Sequence, residues 1–283
     1  MSFTRVSKAI IPAAGKGSRV RSVAGDLPKE LLMVAAKPLI VHSIEALAAS
    51  GVREIAIVIS PEKENIRQFI LEDQHQFVGP RVEAHTKILF RSCKFSFFVQ
   101  HQPVGIADAV SLCRDFVGNE PFALIFPDNV LLDGLPVVAQ MLPFFTRFGM
   151  DTIGALWLTP EETTTFGNVG FLEVEPMTAE SRRVMRVLSY SDKLPERPPA
   201  ESAKDRLKSF GGGIYLPHFF DYVERIRPLA EGEVDDVPVV QAIAREKGLL
   251  AVELSGKGFD VGNPAGYWAA NLYAESGHPH GQS

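Results

Sequence analysis

Apolar positions in the first half of the chain form short, nearly continuous runs, separated by longer stretches with helical spacing. The runs at 8–12, 54–60 (EIAIVIS), 95–100 (FSFFVQ) and 122–127 (FALIFP) predict buried strands. Between them, apolar residues recur with helical spacing over 38–50, 62–72 and 106–117, which predicts helices. Strands that are apolar on both faces and alternate with helices imply a mostly parallel sheet covered on both sides. The second half is richer in strand-like segments, at 152–158, 169–174, 184–190, 212–216 and 249–254. Helical patterns there fall at 217–227, 236–247 and 264–275. The Pro- and charge-rich stretch LPERPPAESAKDR at 194–206 reads as an exposed loop, and no internal repeat is present.

The expected fold class is therefore α/β: a Rossmann-like, mixed but mostly parallel sheet flanked by helices, with a β-rich extension. A chain of 283 residues buries a sizeable core. The expected organisation is one domain over residues 1–275, split into halves at about 8–135 and about 150–275, with a disordered polar tail at 276–283. At 46% apolar and 22% charged residues the composition is that of a globular protein. The net charge of −5 argues against a nucleic-acid partner, which calls for a basic face, yet leaves room for a local cationic pocket. Cys93 and Cys113 have no metal-ligand spacing and are expected to be reduced thiols. The apolar run at 9–11 is too short for a signal peptide and no run approaches a membrane span, so a cytoplasmic protein without membrane partners is expected.

The candidate chemistry lies at the carboxyl ends of the predicted strands, where ligands bind in open α/β sheets. Directly after the first strand comes PAAGKG, then Ser18, Arg19 and, behind Pro28, Lys29. A buried strand that ends in a glycine-rich turn lets backbone N–H groups approach a ligand closely. Cations beyond the turn suit a polyphosphate. The turn is not a P-loop, because Lys16 is followed by Gly17. It is not a dinucleotide fingerprint either, because Val20 stands where the third glycine belongs.

Over about residues 8 to 272 the chain resembles the sugar-phosphate nucleotidyltransferases, and within them the bacterial UTP–glucose-1-phosphate uridylyltransferases. KAIIPAAGKGSRV is similar to the family's Gly-x-Gly-Thr/Ser-Arg signature, and LPKELLMVAAKPLIVHSIEALAASGVREI continues it. QHQPVGIADAV, FPDNVLLDG, FGNVGFLEVE, SYSDKLP, FGGGIYL and GKGFDVGNPAGYWAAN follow in family order. The resemblance implies the nucleotide-diphospho-sugar transferase fold, with a nucleotide-binding half followed by a sugar-binding half. It also implies Mg²⁺-dependent transfer of a uridylyl group from UTP to glucose 1-phosphate, giving UDP-glucose and pyrophosphate, in a homo-oligomer. Use of dTTP, another hexose 1-phosphate, or a catalytically silent nucleotide-sugar-binding paralogue are the alternatives.

Carried over position by position, the resemblance implies roles for particular residues. Arg19 and Lys29 hold the triphosphate, and Lys193 of SYSDKLP holds the sugar phosphate. Ala13, Ala14, Gly15 and Gly17 form the nucleotide loop, and Gln100 with Gly105 reads a pyrimidine edge. A glutamine amide offers the donor and acceptor that uracil or thymine requires. Asp128 and Asp260 are the metal carboxylates, and Gly167, Asp192 and Asp236 meet the sugar. The sugar side departs from the family pattern: Asp192 replaces a glutamate, Leu194 separates Lys193 from Pro195, and Pro238 occupies a glutamine position. Such changes in a hydroxyl-bonding pocket can retune the sugar.

Overall fold

The computed structural model describes residues 5–71, 80–167, 170–178, 181–191, 204–230 and 232–276. β1 (Lys8–Pro12) is followed by one helical turn, α1 (Arg21–Ala24), and a two-residue hairpin, β2 (Met33–Val34) and β3 (Lys37–Pro38). α2 (Leu39–Ala49), β4 (Glu54–Ile59), α3 (Glu64–Leu71), α4 (Pro80–Arg91) and β5 (Lys94–Val99) come next. α5 (Ile106–Ser111), α6 (Arg114–Val117) and β6 (Phe122–Ile125) complete the first half. The second half runs β7 (Asn129–Leu132), α7 (Val137–Phe148), β8 (Thr152–Leu158), α8 (Pro160–Thr163), β9 (Leu172–Thr178) and β10 (Ser181–Tyr190). β11 (Arg206–Tyr215), α9 (His218–Ile226), α10 (Asp236–Glu246), β12 (Leu250–Glu253), β13 (Lys257–Asp260) and α11 (Pro264–Glu275) close it.

The main sheet has nine strands in the order β5-β4-β1-β6-β11-β8-β12-β10-β9. β5, β4, β1 and β6 are mutually parallel, and β8 and β12 form a second parallel pair. Only β10 and β11 oppose the rest, so the expected mixed, mostly parallel sheet is present. Apolar residues fill both faces of the central strands. Ile11, Ile55 and Ile57 pack with α2 and α7 residues on one side, and Ile10, Ala56 and Val58 pack with α5 and α9 residues on the other. This two-sided burial is why those strands read as continuous apolar runs. β11 pairs with β6 on one side and β8 on the other, so the two halves share one sheet.

Several elements depart from expectation. The segment at 95–100 is the edge strand β5, half-buried with exposed ends, because no strand covers its far side. The helix expected over 106–117 breaks at Leu112–Cys113 into α5 and α6. β11 starts at Arg206, well before 212, with a bulge between Ser209 and Gly213. α4, α7, β7 and β13 had no counterpart in the pattern. α7 contains Pro143, whose missing N–H speaks against a helix, yet Val138, Met141 and Phe145 bury enough apolar surface to hold it. Most of the 194–206 loop and all but the first residue of the 276–283 tail lie outside the described residues.

Candidate active site

The chain leaves β1 at Pro12 and turns through Gly17, whose φ of 65° starts the 3-10 turn Ser18–Val20. Ala14, Gly15, Gly17 and Arg19 line a cleft above the sheet, together with Lys29, Gln100, Gly105 and Asp128. Ala13 stands behind this wall. It is fully buried, its N–H donates to the Val58 carbonyl at 2.7 Å, and its own carbonyl accepts from Lys63 at 2.8 Å. Its backbone thus fastens the start of the loop to β4 and to the 3-10 turn before α3.

The two carboxylates are brought together by elements the sequence pattern did not reveal. β7 and β13 form a short antiparallel ribbon with Asp260 opposite Asn129, next to Asp128. Val261 N–H donates to the Asp128 carbonyl at 2.8 Å. The Asp260 carboxylate accepts from Gly262 N–H at 3.0 Å and from Gly167 N–H at 2.8 Å. Two glycines measure how closely the groups converge. A Cβ at Gly262 would stand 2.7 Å from Asp128 Oδ2 and 3.1 Å from Asp260 Oδ1. One at Gly167 would stand 2.2 Å from Arg19 Nη1 and 3.2 Å from Asp260 Oδ2. The Gly167 N–H reaches Asp260 because the turn after α8 passes directly beside the carboxylate.

Lys29 Nζ lies 2.5 Å from Asp128 Oδ2, and both side chains are largely buried. Burial alone would lower the Lys29 pKa, but the Asp128 and Glu30 carboxylates outweigh it and hold the ammonium above its ordinary value. Burial alone would likewise raise Asp128, and the Lys29 and Arg19 cations overturn this and keep it ionised. A metal would meet hard oxygen donors here. Among the described residues no group of three or more His, Cys, Asp or Glu surrounds one point, so the protein offers two carboxylates. That set fits Mg²⁺, which is commonly held by one or two carboxylates plus substrate phosphates and water.

On the far wall of this cleft, Gln100 is buried and its Nε2 donates to the Gly105 carbonyl at 3.1 Å and to Asp108 Oδ2 at 2.8 Å. The donor half of the amide is therefore engaged within the protein. Oε1 remains as the acceptor. Gly105, at φ 115°, lies so close to Val234 that a Cβ would be 2.3 Å from that residue's carbonyl oxygen. This contact ties the loop around Gly105 to the segment before α10.

A second cleft adjoins the first, sharing Arg19 and Asp128 and lined further by Tyr190, Lys208, Asp236 and Asp260. Asp236 opens α10 behind the N-cap Asp235 and is buried there. Tyr190 bonds the Ser209 hydroxyl at 2.6 Å; burial, with the Asp236 charge, lifts its pKa well above that of an ordinary phenol. Lys208, 8% exposed with its ammonium 5.6 Å from the Phe166 ring centroid, was missed by sequence reasoning. The signal was a lone lysine within an apolar strand, hidden because the strand was begun too late. Asp192 and Lys193 lie outside the described residues.

A glycine-rich loop at the head of a mostly parallel sheet, cations beside it and two converging carboxylates form a site suited to a polyphosphate on an α/β scaffold. Residues 8–277 match the family described as Nucleotidyl transferase, and the chain belongs to it. It is 30% identical over 280 residues to a UTP–glucose-1-phosphate uridylyltransferase of Bacillus subtilis, covering 95% of this chain and 90% of that protein. The similarity to one of Pseudomonas aeruginosa is 29% over 276 residues, covering 95% of both. Among solved structures, an apo UDP-glucose pyrophosphorylase superposes with a TM-score of 0.80 at 26% identity, over 96% of this chain and 99% of that one. The family and fold expected from the sequence are therefore those found.

Proposed function

We propose that this chain is a uridylyltransferase that joins UTP and glucose 1-phosphate into UDP-glucose, with release of pyrophosphate. The observation that supports it best is the convergence of Arg19, Lys29, Asp128 and Asp260 on one space between two clefts. One cleft suits a nucleotide and the other a sugar. The relatives bearing the uridylyltransferase name align over nearly the whole chain, sugar-side half included.

In this reading a phosphate oxygen of glucose 1-phosphate attacks the α-phosphorus of UTP. The new P–O bond forms as the bond to the β-phosphate oxygen breaks, and no covalent enzyme intermediate is needed. Catalysis then rests on alignment and charge neutralisation. Arg19 grips the leaving pyrophosphate with its guanidinium fork, and Lys29 gives a compact charge nearby. Bound by Asp128 and Asp260, Mg²⁺ would offset the charge that builds on the leaving group. Asp260 is already oriented for this by two backbone N–H groups. Gln100 accepts the uracil N3–H through Oε1, while Lys193 and Lys208 screen the sugar phosphate. Asp236 and Asp192 bond the hexose hydroxyls. A cytoplasmic homo-oligomer accords with the same reading.

The test is pyrophosphate release by the purified chain from UTP or dTTP with Mg²⁺, across a panel of hexose 1-phosphates. Release that depends on glucose 1-phosphate, favours UTP and stops with EDTA is expected. Asp128→Ala should lower kcat by roughly a hundredfold or more. Turnover that survives Asp128→Ala would sink the metal assignment. Turnover with a different sugar would move the error to the cleft around Lys208 and Asp236.

A further inference from the structure

Behind the nucleotide loop lies a buried ion pair to which the transfer chemistry assigns no task. Glu30 is wholly shielded from solvent, and Lys63 is 7% exposed. Lys63 Nζ donates to both Glu30 oxygens, at 2.8 and 3.0 Å, and to the Ala13 carbonyl at 2.8 Å. The three residues come from separate segments. Ala13 follows β1 at the start of the loop, Glu30 is next to Lys29 in the 3-10 turn Lys29–Leu31, and Lys63 closes the 3-10 turn before α3.

Removing two charges from water is costly, and apolar residues of similar volume are often as stable in such a place. Stability alone therefore gives little reason for this pair, but its location does. Glu30 is a carboxylate whose charge Lys29 already feels. Lys63 engages both Glu30 oxygens, while the ammonium of the adjacent Lys29 meets Asp128 in the cleft. The same ammonium of Lys63 grips the backbone from which the loop departs.

We propose that Glu30 and Lys63 are a positioning pair for the nucleotide site. They lock the first turn of the loop against the Lys29 turn and aim Lys29 at the phosphates. Neither residue touches substrate. The inference rests on the nucleotide reading given above.

The test uses the full chain with Glu30→Gln and with the apolar double substitution Glu30→Leu/Lys63→Met. Three quantities are measured: thermal midpoint, calorimetric affinity for UTP with Mg²⁺, and separate kinetic constants for UTP and glucose 1-phosphate. The double variant is expected to stay folded with a midpoint within about 3 °C of wild type. Its kcat/KM for UTP should fall by roughly 30-fold, with KM for glucose 1-phosphate within about twofold. Glu30→Gln, which leaves the lysine charge without its counter-charge, should shift UTP kinetics in the same direction, and it decides the matter if the double variant does not fold. A folded variant with wild-type UTP affinity and kcat would reduce the pair to a core staple. If wild type transfers to no sugar phosphate, the functional reading fails while the UTP affinities still decide the pair. Wild type that binds no UTP overturns both.

Discussion

At Gly15 an added Cβ would meet nothing within 4 Å, and the backbone there is not left-handed. The protein itself therefore has no steric need for glycine at this position, which lines the nucleotide cleft. In the proposed function, a methyl group there would occupy space that a phosphate or ribose requires. Gly15→Ala is expected to leave the thermal midpoint within about 2 °C of wild type. Its KM for UTP should rise about tenfold, a loss of ~1.4 kcal/mol of binding. Unchanged UTP kinetics would place the nucleotide elsewhere. Gly105 is the contrasting case, since the Val234 backbone fills the space beside it. Glycines that look alike in the sequence thus have different causes, one a ligand's room and the other a close chain contact. The sequence named both as site positions, but only packing separates them.

At the scale of elements, the start of α11 holds the backbone of Asp260, the proposed metal ligand, in place. The Asn263 side chain accepts from Gly266 N–H at 3.0 Å and donates to the Asp260 carbonyl at 3.0 Å and the Thr165 carbonyl at 3.1 Å. It is both N-cap and clamp. Asn263→Ala is expected to cost about 1 kcal/mol of stability, as a lost cap does, and to lower the midpoint by about 3 °C. Because the clamp also sets Asp260, kcat should fall by about tenfold or more, although Asn263 contacts no substrate in the proposed mechanism. A lowered midpoint with unchanged kcat would confine its role to the helix. The sequence showed α11 itself, since Asn-Pro followed by an apolar helical pattern is a strong start signal. The β7–β13 ribbon beside it was not legible, because two four-residue strands far apart in sequence carry too few alternating positions to announce a pairing.

At the scale of the molecule, the two clefts meet along a line that crosses both halves. Arg19 and Asp128 come from the first half, while Tyr190, Asp236 and Asp260 come from the second. β11 carries its hydrogen bonds to both sides, joining β6 to β8 within one sheet. The halves therefore lack separate cores, and unfolding should be a single cooperative transition. Calorimetry with equal calorimetric and van't Hoff enthalpies would support this. Two resolved transitions, or an independently folded fragment of residues 1–150, would show that the halves are distinct domains.

The sequence by itself determined the class of fold, the glycine-rich turn after β1 and the cations that follow it. Those features are local: continuous apolar strands, a glycine turn directly after the first of them, and cations a few residues on. Tertiary structure alone decided what each group is free to do. It engaged the Ala13 backbone with Val58 and Lys63, the Gly167 N–H with Asp260, and half of the Gln100 amide with Asp108 and Gly105. It also placed Lys208 in the second cleft beside Asp236 and paired Glu30 with Lys63 beneath the loop. A residue's type and local pattern are written along the chain. Its hydrogen-bond partners are set by how the chain folds back on itself, whether from a nearby turn, as for Gln100, or from a distant segment, as for Gly167 and Asp260, and a local pattern has no record of them.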